Sequence, residues 1–106
     1  MSSYLLILST VPNLKEARSL ASVLLEKKLA ACVNISPGVE SHYRWKGKKE
    51  KSREVMLFIK TREALFGKLE KTLRENHSYE MPEIIALPIQ RGSKKYLNWL
   101  AKETKR

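Results

Sequence analysis

Three segments of this chain carry apolar side chains on both faces of a strand. Leu5 and Ile7 oppose Leu6 and Leu8; Val55, Leu57 and Ile59 oppose Met56 and Phe58; Ile85 and Leu87 oppose Ile84 and Ala86. An antiparallel sheet with one solvated side alternates apolar with polar residues along each strand. These strands do not alternate, so both faces need cover. An apolar sheet face left in water would be an aggregation hazard. The simplest cover for the second face is another copy of the same chain.

The rest of the chain supplies helices for the first face. Tyr4–Ser9 reads as a strand, ended by Val11-Pro12-Asn13. Asn13 and Glu16 form a capping-box pattern for a helix whose stripe is Leu14, Ala17, Leu20, Ala21, Leu24 and Leu25. Ala31–Tyr43 reads as a long strand with a bulge or bend at Pro37-Gly38. Gly47 marks a hairpin turn, and Arg53–Thr61 returns as a strand. Leu65, Phe66, Leu69 and Leu73 line a second helix, Glu83–Ile89 forms another strand, and Ser93 caps a last helix. The order βαββαβ plus one helix predicts an α+β, ferredoxin-like domain. Its antiparallel sheet carries helices on one face, over residues 1–106.

Composition narrows the function. A chain of 106 residues makes one domain near the lower end for a self-sufficient core. No apolar run is long enough to span a bilayer, and no signal peptide is evident, so no membrane partner is expected. The one cysteine, Cys32, suits a reducing, cytoplasmic setting. All acidic residues are Glu, which excludes the usual Asp-based magnesium and calcium-loop sites. The formal charge of +10 attracts small anions and repels metal cations in bulk. Lys46, Lys48, Lys49, Lys51 and Arg53 around Gly47 read as a solvated hairpin tip.

The richest segment is Asn76-His77-Ser78-Tyr79-Glu80-Met81-Pro82-Glu83. Pro82 disfavours helix at the residue before it, so this polar cluster sits on a helix-to-strand corner. The segment resembles the His-Pro-Tyr-Glu-x-Pro-Glu stretch of the CutA1 divalent-cation-tolerance family, with Ser78 where the family usually has proline. Ala30-Ala31-Cys32-Val33-Asn34, Tyr43-Arg44-Trp45-Lys46-Gly47, Glu54-Val55 leading to Lys60-Thr61, and Tyr96-Leu97-Asn98-Trp99 resemble further family segments, in the same order. The resemblance implies a homotrimer with long hairpin strands crossing between neighbours. It implies a binding or signalling-type protein, not an enzyme, associated with divalent metal cation tolerance. Its ligand site would lie in clefts between subunits, near Cys32, Trp45, Glu54, Lys60, His77, Tyr79 and Glu80, with a small anion or a metal ion as ligand. In some bacterial relatives a first-strand cysteine and two adjacent histidines are the proposed copper ligands. Here those positions read Ser9 and Asn76-His77, which leaves His77 as the metal ligand and makes any bound copper or other divalent ion weak.

Each of these residues also has a plain structural reading. Cys32 can be a small buried hydrophobe, His77 can offset a helix dipole, and Trp45 and Trp99 can be packing anchors. Glu54 and Lys60 lie six apart and share one strand face. Two other function classes compete. RNA-recognition modules share the βαββαβ order and suit a basic chain, but Glu54–Ile59 lacks the Gly-aromatic pattern of such strands, so no specific nucleic-acid partner is expected. A small acid–base enzyme would use His77, Glu80 or Lys60, without any supporting triad or phosphate loop.

Overall fold

The computed structural model describes residues 3–105. Strand β1 (Tyr4–Val11) leads into helix α1 (Leu14–Glu26). Strands β2 (Cys32–Trp45) and β3 (Lys48–Arg62) form a long hairpin. A 3-10 turn at Glu63–Leu65 opens helix α2 (Phe66–Glu75); β4 (Ile85–Pro88) and α3 (Lys94–Glu103) follow. The four strands make one antiparallel sheet in the order β2-β3-β1-β4, the arrangement expected of a split βαβ unit.

Local chemistry sets most element ends. The Asn13 side chain accepts from the Glu16 amide at 2.8 Å and starts α1 as expected. The Glu16 carboxylate then turns away and accepts from the Ser78 amide at 3.0 Å. Strand β1 runs past Ser9 because Thr10 and Val11 still pair with Met56 and Val55. The hairpin is longer than the sequence suggests: β2 reaches Trp45 and β3 starts at Lys48, leaving only Lys46 and Gly47 in the turn. Both have positive φ, 52° and 81°, the primed geometry that matches the twist of the flanking strands. The expected irregularity near Pro37-Gly38 is a bulge between Ser36 and Val39, with Gly38 at φ 79°. Strand β4 is shorter than Glu83–Ile89, pairing with β1 from Ile85 opposite Leu8 to Pro88 opposite Leu5, and the Ile89 N–H still donates to the Tyr4 carbonyl at 2.9 Å.

One sheet face packs under α1 and α2. Leu5, Ile7 and Val11 from β1 meet Val55, Leu57 and Ile59 from β3, with Leu20, Leu24, Leu69 and Leu73 above them. Each such buried side chain contributes about 1.5–3 kcal/mol relative to exposure.

The register puts Leu6, Leu8, Met56, Phe58, Ile85 and Leu87 on the second face. Helix α3 covers one end of it, a cover that the two-helix layer had not supplied. Arg62 on this face donates to the Thr104 hydroxyl at 2.7 Å and to the Thr104 carbonyl at 2.9 Å, and Leu100 is fully buried. The remainder stays open: Ile85 is 50% exposed and Leu87 44%. The outer hairpin stands clear as well. Strand β1 reaches only to Val55, so among the described residues Val39–Trp45 and Lys48–Glu54 pair solely with each other as a two-stranded ribbon.

Candidate functional site

The corner after α2 is assembled by three side chains. The Asn76 amide donates to the Thr72 carbonyl at 2.8 Å and closes the helix. His77 follows, its side chain fully buried. Its Nε2 lies 2.9 Å from the Thr10 carbonyl, and its Nδ1 accepts from the Tyr79 amide at 3.1 Å. A carbonyl can only accept and an amide N–H can only donate. The proton therefore sits on Nε2 and the lone pair on Nδ1. Glu16 Oε2 lies 3.5 Å from Nδ1. The Tyr79 ring leans on the imidazole with centroids 4.9 Å apart. Its hydroxyl donates to Glu54 Oε2 at 2.7 Å. The corner is thus fixed to α1, β1 and β3 together.

Between this corner and the ribbon lies a cavity of about 470 Å³. Thr10, Glu54 and Tyr79 line its inner part; Ser41, His42, Tyr43 and Trp45 come from the ribbon; Glu80, Met81 and Glu83 come from the corner. Glu54 is only 7% exposed, whereas Met81 at the rim is 71% exposed. Burial, the hydrogen bond to Glu54 and the charge of that carboxylate raise the Tyr79 phenol well above its ordinary pKa.

The residues singled out in the sequence fall into two places. Trp45, Glu54, Tyr79 and Glu80 line the cavity, and His77 stands behind them as a buried tie. Cys32 and Lys60 are direct cross-strand partners at the far end of the second face. Six strand residues span roughly 20 Å, so sharing a face with Glu54 does not bring Lys60 to it. Lys60 Nζ donates to Asn34 Oδ1, and Cys32 Sγ lies 3.7 Å from the same oxygen. Tyr96 of α3 reaches Cys32; burial first, and then that thiol, raise its phenol pKa. Thr10, Ser41, His42, Tyr43, Met81 and Glu83 join the cavity without having been singled out as site residues. Tyr43 was legible, since it lies two residues before Trp45 on one strand and so shares its face.

The donor set does not fit a chelated divalent ion within one chain. Both His77 nitrogens hold backbone groups, and the Cys32 thiol lies at the other end of the sheet face. Among the described residues no group of three or more His, Cys, Asp or Glu is placed to hold a metal ion. Ser9, where some relatives are expected to carry cysteine, is fully buried, pairs with Leu57 on the helix-covered face, and among the described residues has no hydrogen-bond partner for its hydroxyl.

The sequence profile of the CutA1 divalent ion tolerance protein matches residues 5–103. The chain belongs to the CutA1 family. The chloroplastic CutA of Arabidopsis thaliana is 50% identical over 96 residues, which cover 91% of this chain and 53% of that protein. The chain thus spans about half the length of the plant relatives it matches. The divalent-cation tolerance protein CutA of Thermus thermophilus is 46% identical over 98 residues, 92% of this chain and 95% of that one. Among solved structures, CutA1 from Oryza sativa superposes with a TM-score of 0.95 at 46% identity, covering 99% of this chain and 96% of that chain. The Thermus thermophilus structure gives 0.94 at 44% identity, covering 96% and 99%. These CutA1 neighbours carry the same fold, third helix included in the matched length. No described helix is long and apolar enough to cross a membrane.

Proposed function

We propose that the chain is the subunit of a homotrimeric binding protein of the divalent-cation-tolerance class, working in a reducing compartment. Its ligand site is the cavity between the ribbon and the Asn76–Glu83 corner, closed by a neighbouring copy. The observation that carries this reading is the unsupported ribbon beside an incompletely covered sheet face. A two-stranded ribbon is marginal alone in water. Ile85, Leu87, Tyr96 and Trp99 are apolar or aromatic and more than two-fifths exposed. A neighbouring copy that crosses the ribbon and covers this face satisfies both at once. A cleft with a fixed wall and no assembled nucleophile–base pair supports binding over catalysis. The RNA reading has less support: the open face presents Leu6, Leu8, Met56 and Phe58, one aromatic among aliphatics, and α3 lies across part of it. Light scattering at micromolar concentration tests the assembly, with three chains per particle expected. A folded monomer at that concentration would defeat the proposal.

A further inference from the structure

The cavity has a charge opposite to that of the molecule. Three of its lining residues are Glu54, Glu80 and Glu83, in a chain of net charge +10. Cross-strand pairing explains how they escape the surrounding lysines. Residues directly opposite each other share a face of the ribbon. Tyr43 pairs with Glu50 and Val39 with Glu54 on the face that carries Trp45. Arg44 pairs with Lys49, His42 with Lys51 and Glu40 with Arg53 on the other face, of which His42, beside Glu40, also borders the cavity. Apart from Lys48, opposite Trp45 at the tip, the basic side chains of the ribbon strands leave the aromatic face. The remaining positive charge of the molecule acts through solvent, where screening is substantial beyond roughly 8–10 Å at physiological salt.

Glu54 is the unusual member. It is more than nine-tenths buried and lines the cavity. Its Oε2 accepts a hydrogen bond from the Tyr79 hydroxyl, while Oε1 is left open to the cavity and, among the described residues, no basic side chain pairs with the carboxylate. A mostly buried carboxylate with one oxygen facing a cavity and no countercharge presents negative charge to whatever enters, and a cation supplied from outside pairs with it there. Burial first, and then the hydrogen bond to Glu54 and the charge of that carboxylate, raise the pKa of the Tyr79 phenol. The walls are aromatic, and Trp45 already attracts an ammonium group, with Lys46 Nζ 5.8 Å from its ring centre. A metal ion would need several converging ligands, which this cavity does not offer. An organic cation needs one carboxylate, ring faces and an apolar wall, all of which are present.

On the reading that this cavity is the ligand site, we infer that it takes a small organic cation, an amine with an apolar body, its ammonium on Glu54 and its body between Tyr43, Trp45 and Tyr79. Isothermal titration of the full chain in its assembled state with benzylamine is the test, with benzyl alcohol and benzoate as neutral and anionic counterparts. Benzylamine should bind saturably and the other two should not. Glu54→Gln keeps an acceptor for Tyr79 and should weaken benzylamine about tenfold to a hundredfold. Trp45→Leu should weaken it severalfold. Light scattering in the same buffer separates the two ideas. A trimer that ignores benzylamine at millimolar concentration, or takes benzoate equally well, overturns the inference and leaves the assembly intact. A trimer that ignores benzylamine and dissociates on Glu54→Gln overturns it in favour of a cationic side chain from a neighbouring copy. A monomer that binds benzylamine through Glu54 upholds the ligand class while defeating the trimer.

Discussion

The phenol of Tyr79 bridges the corner and β3, donating a hydrogen bond to a carboxylate that has no cationic partner among the described residues. Removing that hydroxyl leaves Glu54 buried without its donor. Tyr79→Phe should therefore destabilise the chain by about 1–3 kcal/mol in denaturant titration. The same contact sets an alkaline limit. The folded phenol is held above the ordinary value near 10, by burial first and by Glu54 next. A raised folded-state pKa adds stability that is full below the unfolded value and is lost as pH rises through the folded one. The wild type should lose stability above about pH 10 more steeply than Tyr79→Phe, measured by melting temperature across that range. Equal alkaline slopes would show that this phenol is not the titrating link. His77 belongs to the same scale. Sequence marks it as polar and near a helix end, where a ligand and a structural tie look alike. The distinction came from the Thr10 carbonyl, 67 residues away in the chain and therefore invisible to local reading.

Local rules served the elements well where chain neighbours decide. The Asn13 cap, the bulge beside Gly38 and the turn at Gly47 all follow from residue types over a few positions. They served less well where a partner strand decides. Strand β2 extends to Trp45 and β3 begins at Lys48 although this ribbon is rich in lysine, because each strand supplies the other's hydrogen bonds. The division of candidate residues was also a matter of partners. Strand parity places Glu54 and Lys60 on one face, but only the fold sets Tyr79 against Glu54 and Asn34 against Lys60. The turn offers a direct test. Lys46 holds φ 52°, a left-handed conformation that costs a non-glycine residue about 1–2 kcal/mol. Asparagine tolerates it better, and Asn-Gly is the preferred pair for such turns. Lys46→Asn should raise stability by about 0.5–1 kcal/mol in thermal unfolding. A loss instead would show that the Lys46–Trp45 contact outweighs backbone strain.

At the scale of the molecule, the two-sided apolar strands are answered in two ways. Helix α3 takes one end of the second face, and a neighbouring copy is proposed for the rest. Leu87, 44% exposed on the edge strand β4 and opposite Leu6, lies in the uncovered part. Leu87→Glu places a charge where apolar contact is proposed. It should shift the association equilibrium at least about tenfold toward smaller species, while the monomer fold persists. Sedimentation velocity over a dilution series reads this directly. Unchanged assembly would move the proposed contact away from β4.

The bulge at Ser36 and Val39 has a reach beyond its own geometry. On the inner part of β2 the residues facing with Phe58 and Lys60 are Asn34 and Cys32; on the outer part those facing with Glu54 and Glu50 are Val39 and Tyr43. Even positions give way to odd ones across a single extra residue. A regular ladder through the same residues, with no bulge, would put the outer strand out of phase by one, exchanging Tyr43 and Trp45 for His42 and Arg44 opposite Glu50 and Lys48. The bulge beside Glu54 thus works like a reading frame: it determines whether that face of the ribbon is aromatic or basic, and so the sign of charge the cavity can receive.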